Sequence, residues 1–415
     1  MRFLFYSHDG FGLGHTCRNL AIARALVAAS PKATVLLATG SDDCARLDIP
    51  ERVEILKLPS LRKLANERYG SRNLVVSESE IRALRSRLLS SAIETFWPDV
   101  LLVDKHPFGA NGELRDGLER LRDHGGRSVL GLRDILDAPE TVAAEWRPHG
   151  LPDRIHDFYD RVLVYGQREI FDSVAAYGFS PVLAARTAYC GYVAAPEETP
   201  DDRPSASTAH SHAVPRPGAG RPVVLATVGG GEDGFELLRT FLETAGDAPW
   251  RSIAVTGPLV RNGEGQRLAE LAGRSGAELH RFVPRLGDWF SSVSAVVCMG
   301  GYNTVTQGLQ RGTPLVCVPR THPRREQVLR AEALGRLGLL RHLDPARLDA
   351  SSLKAAVTEA LGLSRPNLAR QIRSHLRFDG AEVAAQHLLA QARARRGMRR
   401  PGLRISVPTP MLALA

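Results

Sequence analysis

Short, almost wholly apolar runs recur along the chain, each followed by a polar or glycine-rich break and then by apolar residues spaced three to four apart. In the first half these runs are RFLFYS (2–7), ATVLLAT (33–39), VEILKL (53–58), DVLLVD (99–104), SVLGLRD (128–134) and RVLVYG (161–166), with a helical pattern from about Thr16 to Ala29 after the first. Runs apolar on both faces and separated by helices predict a buried parallel sheet. The second half repeats the arrangement with PVVLATVGGG (222–231), a helix from about Phe235, RSIAVTG (251–257), AELHRFV (277–283), SAVVCMGG (294–301) and TPLVCVPR (313–320). Helical patterns over 352–394 complete that half and are placed to cross back to the first. The fold class is therefore α/β, as two Rossmann-like doubly wound domains.

The stretch EETPDDRPSASTAHSHAVPRPGAGRP (197–222) has no periodic apolar face and is rich in Pro, Ser, Ala and Gly, as a linker is. The expected organisation is a first domain over 1–195, a linker over 196–221, a second domain over 222–396 and a disordered basic tail over 397–415. Two cores joined this way leave a cleft between them.

A net charge of +9 over 415 residues first reads as a nucleic-acid signal. Six of those charges, Arg393, Arg395, Arg396, Arg399, Arg400 and Arg404, lie in a C-terminal stretch without acidic residues, so nine minus six leaves only +3 elsewhere. Without interleaved aromatics the basic tail does not point to nucleic acid. A solvated arm is the plain reading and peripheral contact with anionic lipid the sharper one. Only five of the 54 basic residues are Lys, as codon bias in a GC-rich bacterial genome would give. The five cysteines are scattered without CxxC spacing, which fits a reduced, cytoplasmic setting and no zinc site. No apolar run approaches the roughly 18 residues of a membrane span, and the N-terminus turns polar too soon for a signal peptide.

Glycines cluster after strands in both halves: HDGFGLGH (8–15), TVGGGEDG (227–234) and MGGYNT (299–304). Open α/β sheets bind ligands at the carboxyl ends of their strands, so these loops are expected to line the interdomain cleft. After the glycine pair, Val305, Leu309 and Gly312 predict a helix starting close to Asn303. Its first N–H groups lack internal partners and carry the positive end of the dipole, and Gly300 and Gly301 let an anion approach the backbone. The plain alternative is a tight turn capped by Asn303 or Thr304. After the next strand, PRTHPRREQ (319–327) brings Arg320, His322, Arg324 and Arg325 to one strand end, where fixed positive charge would reinforce anion binding; together these features favour a diphosphate. The N-terminal FGLGHTC lacks the third glycine of a dinucleotide fingerprint.

The stretches SHDGFGLGHTCRNLAIARAL, VGGGEDG and RFVPRLGDWFSSVSAVVCMGGYNTVTQGLQRGTPLVCVPRTHPRREQVLRA resemble GT-B glycosyltransferases of the branch that includes the peptidoglycan N-acetylglucosaminyltransferase. The resemblance implies a nucleoside-diphosphate sugar, a UDP-sugar, held mainly by the second domain. Phe282 and Val283 would then meet the base, residues 300–304 the diphosphate and Gln327 the sugar hydroxyls, with Gly229, Gly230 and Gly231 completing the cradle. Where the family usually has a Glu for the ribose hydroxyls this chain has Gln307, which loses a charge-assisted bond or is simply an exposed helix residue.

Sugar transfer requires a stabilised leaving diphosphate and a base for the acceptor hydroxyl. The helix start at Asn303 and the arginines would supply the first, and no DxD triplet is present to hold a metal, so no metal or other cofactor is expected. His15, at the opening of the first helix, is the candidate base, with helix capping or packing as its bland alternative. His8, Asp9, Gly14 and Arg18 share its loop or first turn and would orient it or bind the acceptor. Asp104 with His106, and Arg133 with Asp134, end two further strands on the acceptor side; Asp104 or Asp134 is the reserve base. Inversion at the anomeric carbon follows from the resemblance. The acceptor is open between a lipid-linked sugar, a polysaccharide end and a small molecule. An epimerase acting on the donor alone and a non-catalytic partner of the same fold remain as rival functions.

Overall fold

The computed structural model describes residues 1–8, 14–42, 44, 47–65, 68–194, 215 and 220–395. The expected linker falls mostly, and the tail wholly, outside them, as does Asp9.

In chain order the strands of the first lobe are β1 (Arg2–Ser7), β2 (Thr34–Thr39), β3 (Val53–Lys57), β4 (Leu61–Ala65), β5 (Arg68–Ser71), β6 (Val100–Asp104), β7 (Arg127–Arg133), β8 (Arg161–Tyr165) and β9 (Thr187–Tyr189). Those of the second are β10 (Val223–Thr227), β11 (Arg251–Val255), β12 (Glu278–His280), β13 (Ala295–Cys298), β14 (Leu315–Cys317) and β15 (Arg341–His342). The first sheet runs β3-β2-β1-β6-β7-β8-β9 and the second β12-β11-β10-β13-β14-β15, each parallel throughout. Wholly parallel sheets need cover on both faces, and β6 and β10 are buried at every position, which is why their sequences are unbroken apolar runs. The pattern missed β9, β15 and the antiparallel β4–β5 hairpin: β9 and β15 are very short, and the hairpin segment LRKLANERYGS is too polar to read as a buried strand.

Each sheet reverses strand order next to its first strand, between β1 and β6 (Phe3 beside Val100, Tyr6 beside Val103) and between β10 and β13 (Thr227 beside Cys298). Such switch points open a crevice at the carboxyl ends. All the glycine-rich segments noted above follow strands flanking these two crevices.

One core cluster continues through both lobes, from Phe3, Ile22 and Leu26 to Val296, Leu309 and Leu388. The joining piece is the last helix, Gly380–Ala394, whose small residues Ala381, Ala384 and Ala385 pack against the Gly14–Ala29 helix of the first lobe. That contact helps bury the Gly14–Ala29 helix on nearly all sides, and Arg18 is covered by Asp104, Tyr165 and Tyr302. Among the described residues no helix is long and apolar enough to cross a membrane.

Candidate functional site

At the first switch point, β1 delivers His8 and the Gly14–Ala29 helix delivers His15 and Arg18 opposite Asp104 at the end of β6. Asp104 is fully buried. It accepts from Arg18 Nη2 at 2.6 and 2.9 Å and lies 2.9 Å from His15 Nδ1. Burial disfavours its charge, but Arg18 and His15 together hold its carboxyl well below the ordinary carboxylate range. Arg18 also approaches His15 Nδ1 at 2.8 Å. Nδ1 thus faces both a carboxylate acceptor and a guanidinium donor; with its proton directed at Asp104, Nε2 is left unprotonated, the form a base requires. The His15 side chain keeps 17% of its surface exposed, so an acceptor can reach it.

Asp104 is therefore the partner of His15 and not a reserve base, because its charge is consumed by two neighbours. His8 stacks edge-on between His15 and His106, with ring centroids 4.9 and 4.2 Å away. Burial first, then the neighbouring histidines and Lys105, push the His8 pKa well down, so the imidazole stays neutral.

Across the cleft, β13 ends in Gly300 and Gly301 and the helix Tyr302–Gln310 follows. Gly300 has φ +84°, and a Cβ there would lie 2.7 Å from Cys317 Sγ, so the residue is demanded by the turn itself. Gly301 has an ordinary φ of −60°, and a Cβ there would meet nothing within 4 Å. Space, not strain, is what Gly301 contributes. It is the N-cap and no side chain caps the helix, so the alternative of a turn capped by Asn303 or Thr304 does not hold. Asn303 Nδ2 instead donates across the cleft to the Gly14 carbonyl at 3.2 Å. The positive ends of two helices, one from each lobe, thus converge on one gap with His15 at its edge.

The arginines of the 319–327 stretch are not arranged as the sequence suggested. Arg320 binds Asp233 at 2.6 Å and Glu326 at 2.9 Å; Arg324 binds Glu145 at 3.0 Å and lies 3.6 Å from Asp137. The Arg325 amide donates to Asp137 at 2.7 Å. Arg324 and Arg325 bridge the lobes to carboxylates nearly two hundred residues distant, whereas Arg320 pairs within the second lobe; Arg320 and Arg324 are thereby neutralised. Asp134 is likewise taken: both its oxygens accept from Arg330 Nε and Nη2, at 2.8 and 2.7 Å, and Arg330 Nη1 donates to the Gly300 carbonyl at 2.8 Å. A carboxylate so occupied, 2% exposed, is a clamp and does not fit a reserve base. Arg330 was not singled out from sequence, since a lone Arg within a helix gives no signal of its partner. Tyr302, between Arg18 and Arg330 (ring centroid 5.5 and 5.7 Å from their Cζ atoms), completes this seam.

Arg133, at the end of β7, differs from these. Its buried Nε has no hydrogen-bond partner, and among the described residues it forms no ion pair. Burial lowers its pKa; Glu326 opposes this, while Arg330 and Arg18 add to it. Glu326 itself is held below the ordinary range despite its burial, by Arg133, Arg320 and Arg330.

The remaining donor-side residues divide. Val283 is 4% exposed and belongs to the continuous core, so its side chain is unavailable to a base, while Phe282 beside it is partly exposed. Gly231 passes so close to the Thr256 carbonyl that a Cβ would sit 2.2 Å from it, whereas Gly229 faces open space. Gln307 lies against Gly287 in the short helical turn Leu286–Ser291 after β12. Gln327 Oε1 accepts from the Arg320 amide at 3.2 Å, tying that loop down. Among the described residues no group of His, Cys, Asp and Glu is arranged to hold a metal ion.

Two Rossmann-like lobes meeting at their carboxyl-end crevices give the chain the GT-B fold, and its sequence is similar to glycosyltransferases. No protein-family model matches the chain. The NDP-glycosyltransferase YjiC of Bacillus licheniformis is 29% identical over 177 residues, 41% of this chain and 42% of that protein. The UDP-N-acetylglucosamine--N-acetylmuramyl-(pentapeptide) pyrophosphoryl-undecaprenol N-acetylglucosamine transferase of Corynebacterium efficiens is 26% identical over 298 residues, 70% of this chain and 78% of that one. Among solved structures, the glycosyltransferase of kitacinnamycin superposes with a TM-score of 0.62 at 20% identity, over 94% of this chain and 98% of its own.

Proposed function

We propose that the protein transfers a sugar from a nucleoside-diphosphate donor, a UDP-sugar, to an acceptor hydroxyl with inversion at the anomeric carbon. The observation that carries this reading is the convergence of the Tyr302–Gln310 helix start with the His15–Asp104 pair on one interlobe gap. In the proposed reaction His15 Nε2 takes the acceptor proton, and Asp104, ionised and fixed by Arg18, stabilises the imidazolium that results. The acceptor oxygen attacks C1 directly, which inverts it. Charge developing on the departing diphosphate is met by the helix N–H groups, with Gly301 leaving room for it to approach. Since Arg320 and Arg324 already have carboxylate partners, Arg133 is the guanidinium this reading assigns to an anionic part of the substrates. The lack of a DxD triplet supports a reaction without metal. Nothing in this mechanism needs an acceptor-free donor isomerisation, so transfer is preferred to epimerisation.

The test is to incubate the protein with UDP-, dTDP- and GDP-sugars and an extract of bacterial lipids and small metabolites, following nucleotide release. Release dependent on extract and on one donor class is expected. No release with any donor would count against the transferase reading.

A further inference from the structure

We propose that a cavity in the first lobe behind the histidine cluster is the acceptor site, and that it takes a compact apolar hydroxy compound bearing an anionic group. This rests on the transferase reading above. The cavity encloses about 270 Å³. Its apolar side is formed by Phe108, Leu136, Val142, Trp146 and Leu151, each less than 10% exposed. That volume suits one or two rings and is too small for a lipid chain with its head group.

Two features connect the cavity to the reaction. His106 lines it and packs edge-on against His8, which packs edge-on against His15, so the cavity and the candidate base flank one histidine cluster. The adjoining Lys105 is held at φ +71°, a left-handed conformation that a non-glycine residue adopts only where the surroundings enforce it. The wall is also rigid: buried Glu113 accepts from Arg85 at 2.6 and 2.7 Å and from Tyr6 at 2.6 Å, and Asn111 is bonded to the Tyr69 backbone.

The lining charges select the ligand. Glu145, the one carboxylate in the lining, binds Arg324 at 3.0 Å. Arg115 lies flat over Phe108, with Cζ 3.8 Å from the ring centroid, and forms no ion pair among the described residues. Stacking fixes the guanidinium while leaving its N–H edge free for a carboxylate or phosphate. An apolar floor with a preset cation at its wall fits a small acid better than a neutral sugar.

The experiment measures binding of 4-hydroxyphenylacetate, its methyl ester and 4-hydroxybenzyl phosphate to the full chain, by calorimetry and by Trp fluorescence. UDP binding is titrated separately. The acid or the phosphate should bind about tenfold to a hundredfold more tightly than the ester, as a charge-assisted hydrogen bond provides; whichever is preferred identifies the anion. Arg115→Gln should abolish that preference and Arg115→Lys retain part of it, both leaving UDP affinity unchanged. Equal binding of ester and acids, no binding of either acid, or a preference that survives Arg115→Gln would overturn the proposal. Loss of UDP binding in the unmodified protein would instead overturn the transferase reading, so the two failures are separable.

Discussion

Replacing Asp104 with Asn tests the chemistry at the first switch point without changing side-chain volume. Asp104 is fully buried and faces Arg18, itself 3% exposed, through contacts of 2.6 and 2.9 Å, with His15 at 2.9 Å. The amide keeps one oxygen to accept from both neighbours, turns an NH2 donor toward the guanidinium in place of the other oxygen, and removes the charge that balances a buried guanidinium. Breaking such a pair costs about 3–5 kcal/mol. For a lobe of this size that corresponds to a melting temperature lower by about 6–20 °C. Turnover should fall about 10²- to 10⁴-fold, because the imidazolium formed on His15 loses its counter-charge. The pH dependence follows from the sign of the shift. The folded pKa of Asp104 lies below its unfolded value, so its contribution is fully present above the ordinary carboxylate pKa of about 3.9 and is lost as pH falls below it. The Asn variant should therefore lose less stability between neutral and acid pH than the parent. Nucleotide release at steady state and thermal unfolding at pH 7 and pH 3 measure both effects. A variant that melts with the parent and turns over within a factor of about three would refute the pairing.

His15→Ala should reduce the rate constant by about 10²- to 10⁴-fold with the dissociation constant for UDP unchanged, read by single-turnover transfer and calorimetry. Asp134→Ala should destabilise the protein by about 3–5 kcal/mol by stranding Arg330, and adding Arg330→Met should recover much of the loss; denaturant unfolding of the double-mutant cycle measures it. Gly300→Ala should lower the melting temperature, because the new methyl meets Cys317 at a left-handed φ. A melt indistinguishable from the parent's would show the turn to be less confined than described.

The parts of the fold legible in the sequence were those written locally. Strands such as DVLLVD are apolar on both faces because helices cover both, and the glycine pair after β13 marks a turn that only glycine can make at residue 300. What was not legible depended on distant partners. Arg320, Arg324 and Arg325 share one short loop, so the sequence reads them as an anion site; their carboxylates come from Asp137, Glu145, Asp233 and Glu326, mostly in the other lobe or far along the chain. Asp104 and Asp134 look alike as acids at strand ends, yet one meets a histidine and the other an arginine from the opposite lobe. Val283 fell into the core because the strand before it ends at His280, short of the expected 283.

The most direct test of the central claim, that the start of the Tyr302–Gln310 helix grips a pyrophosphate, is titration of UDP, dTDP and GDP into the parent protein and Gly301→Val. Gly301 has an unstrained φ and open space where the side chain would enter, so the variant should fold with an unchanged melting temperature. The account predicts that the preferred nucleotide loses at least about a hundredfold in affinity, as expected when charge-assisted amide contacts are blocked. Native folding together with undiminished binding would contradict it.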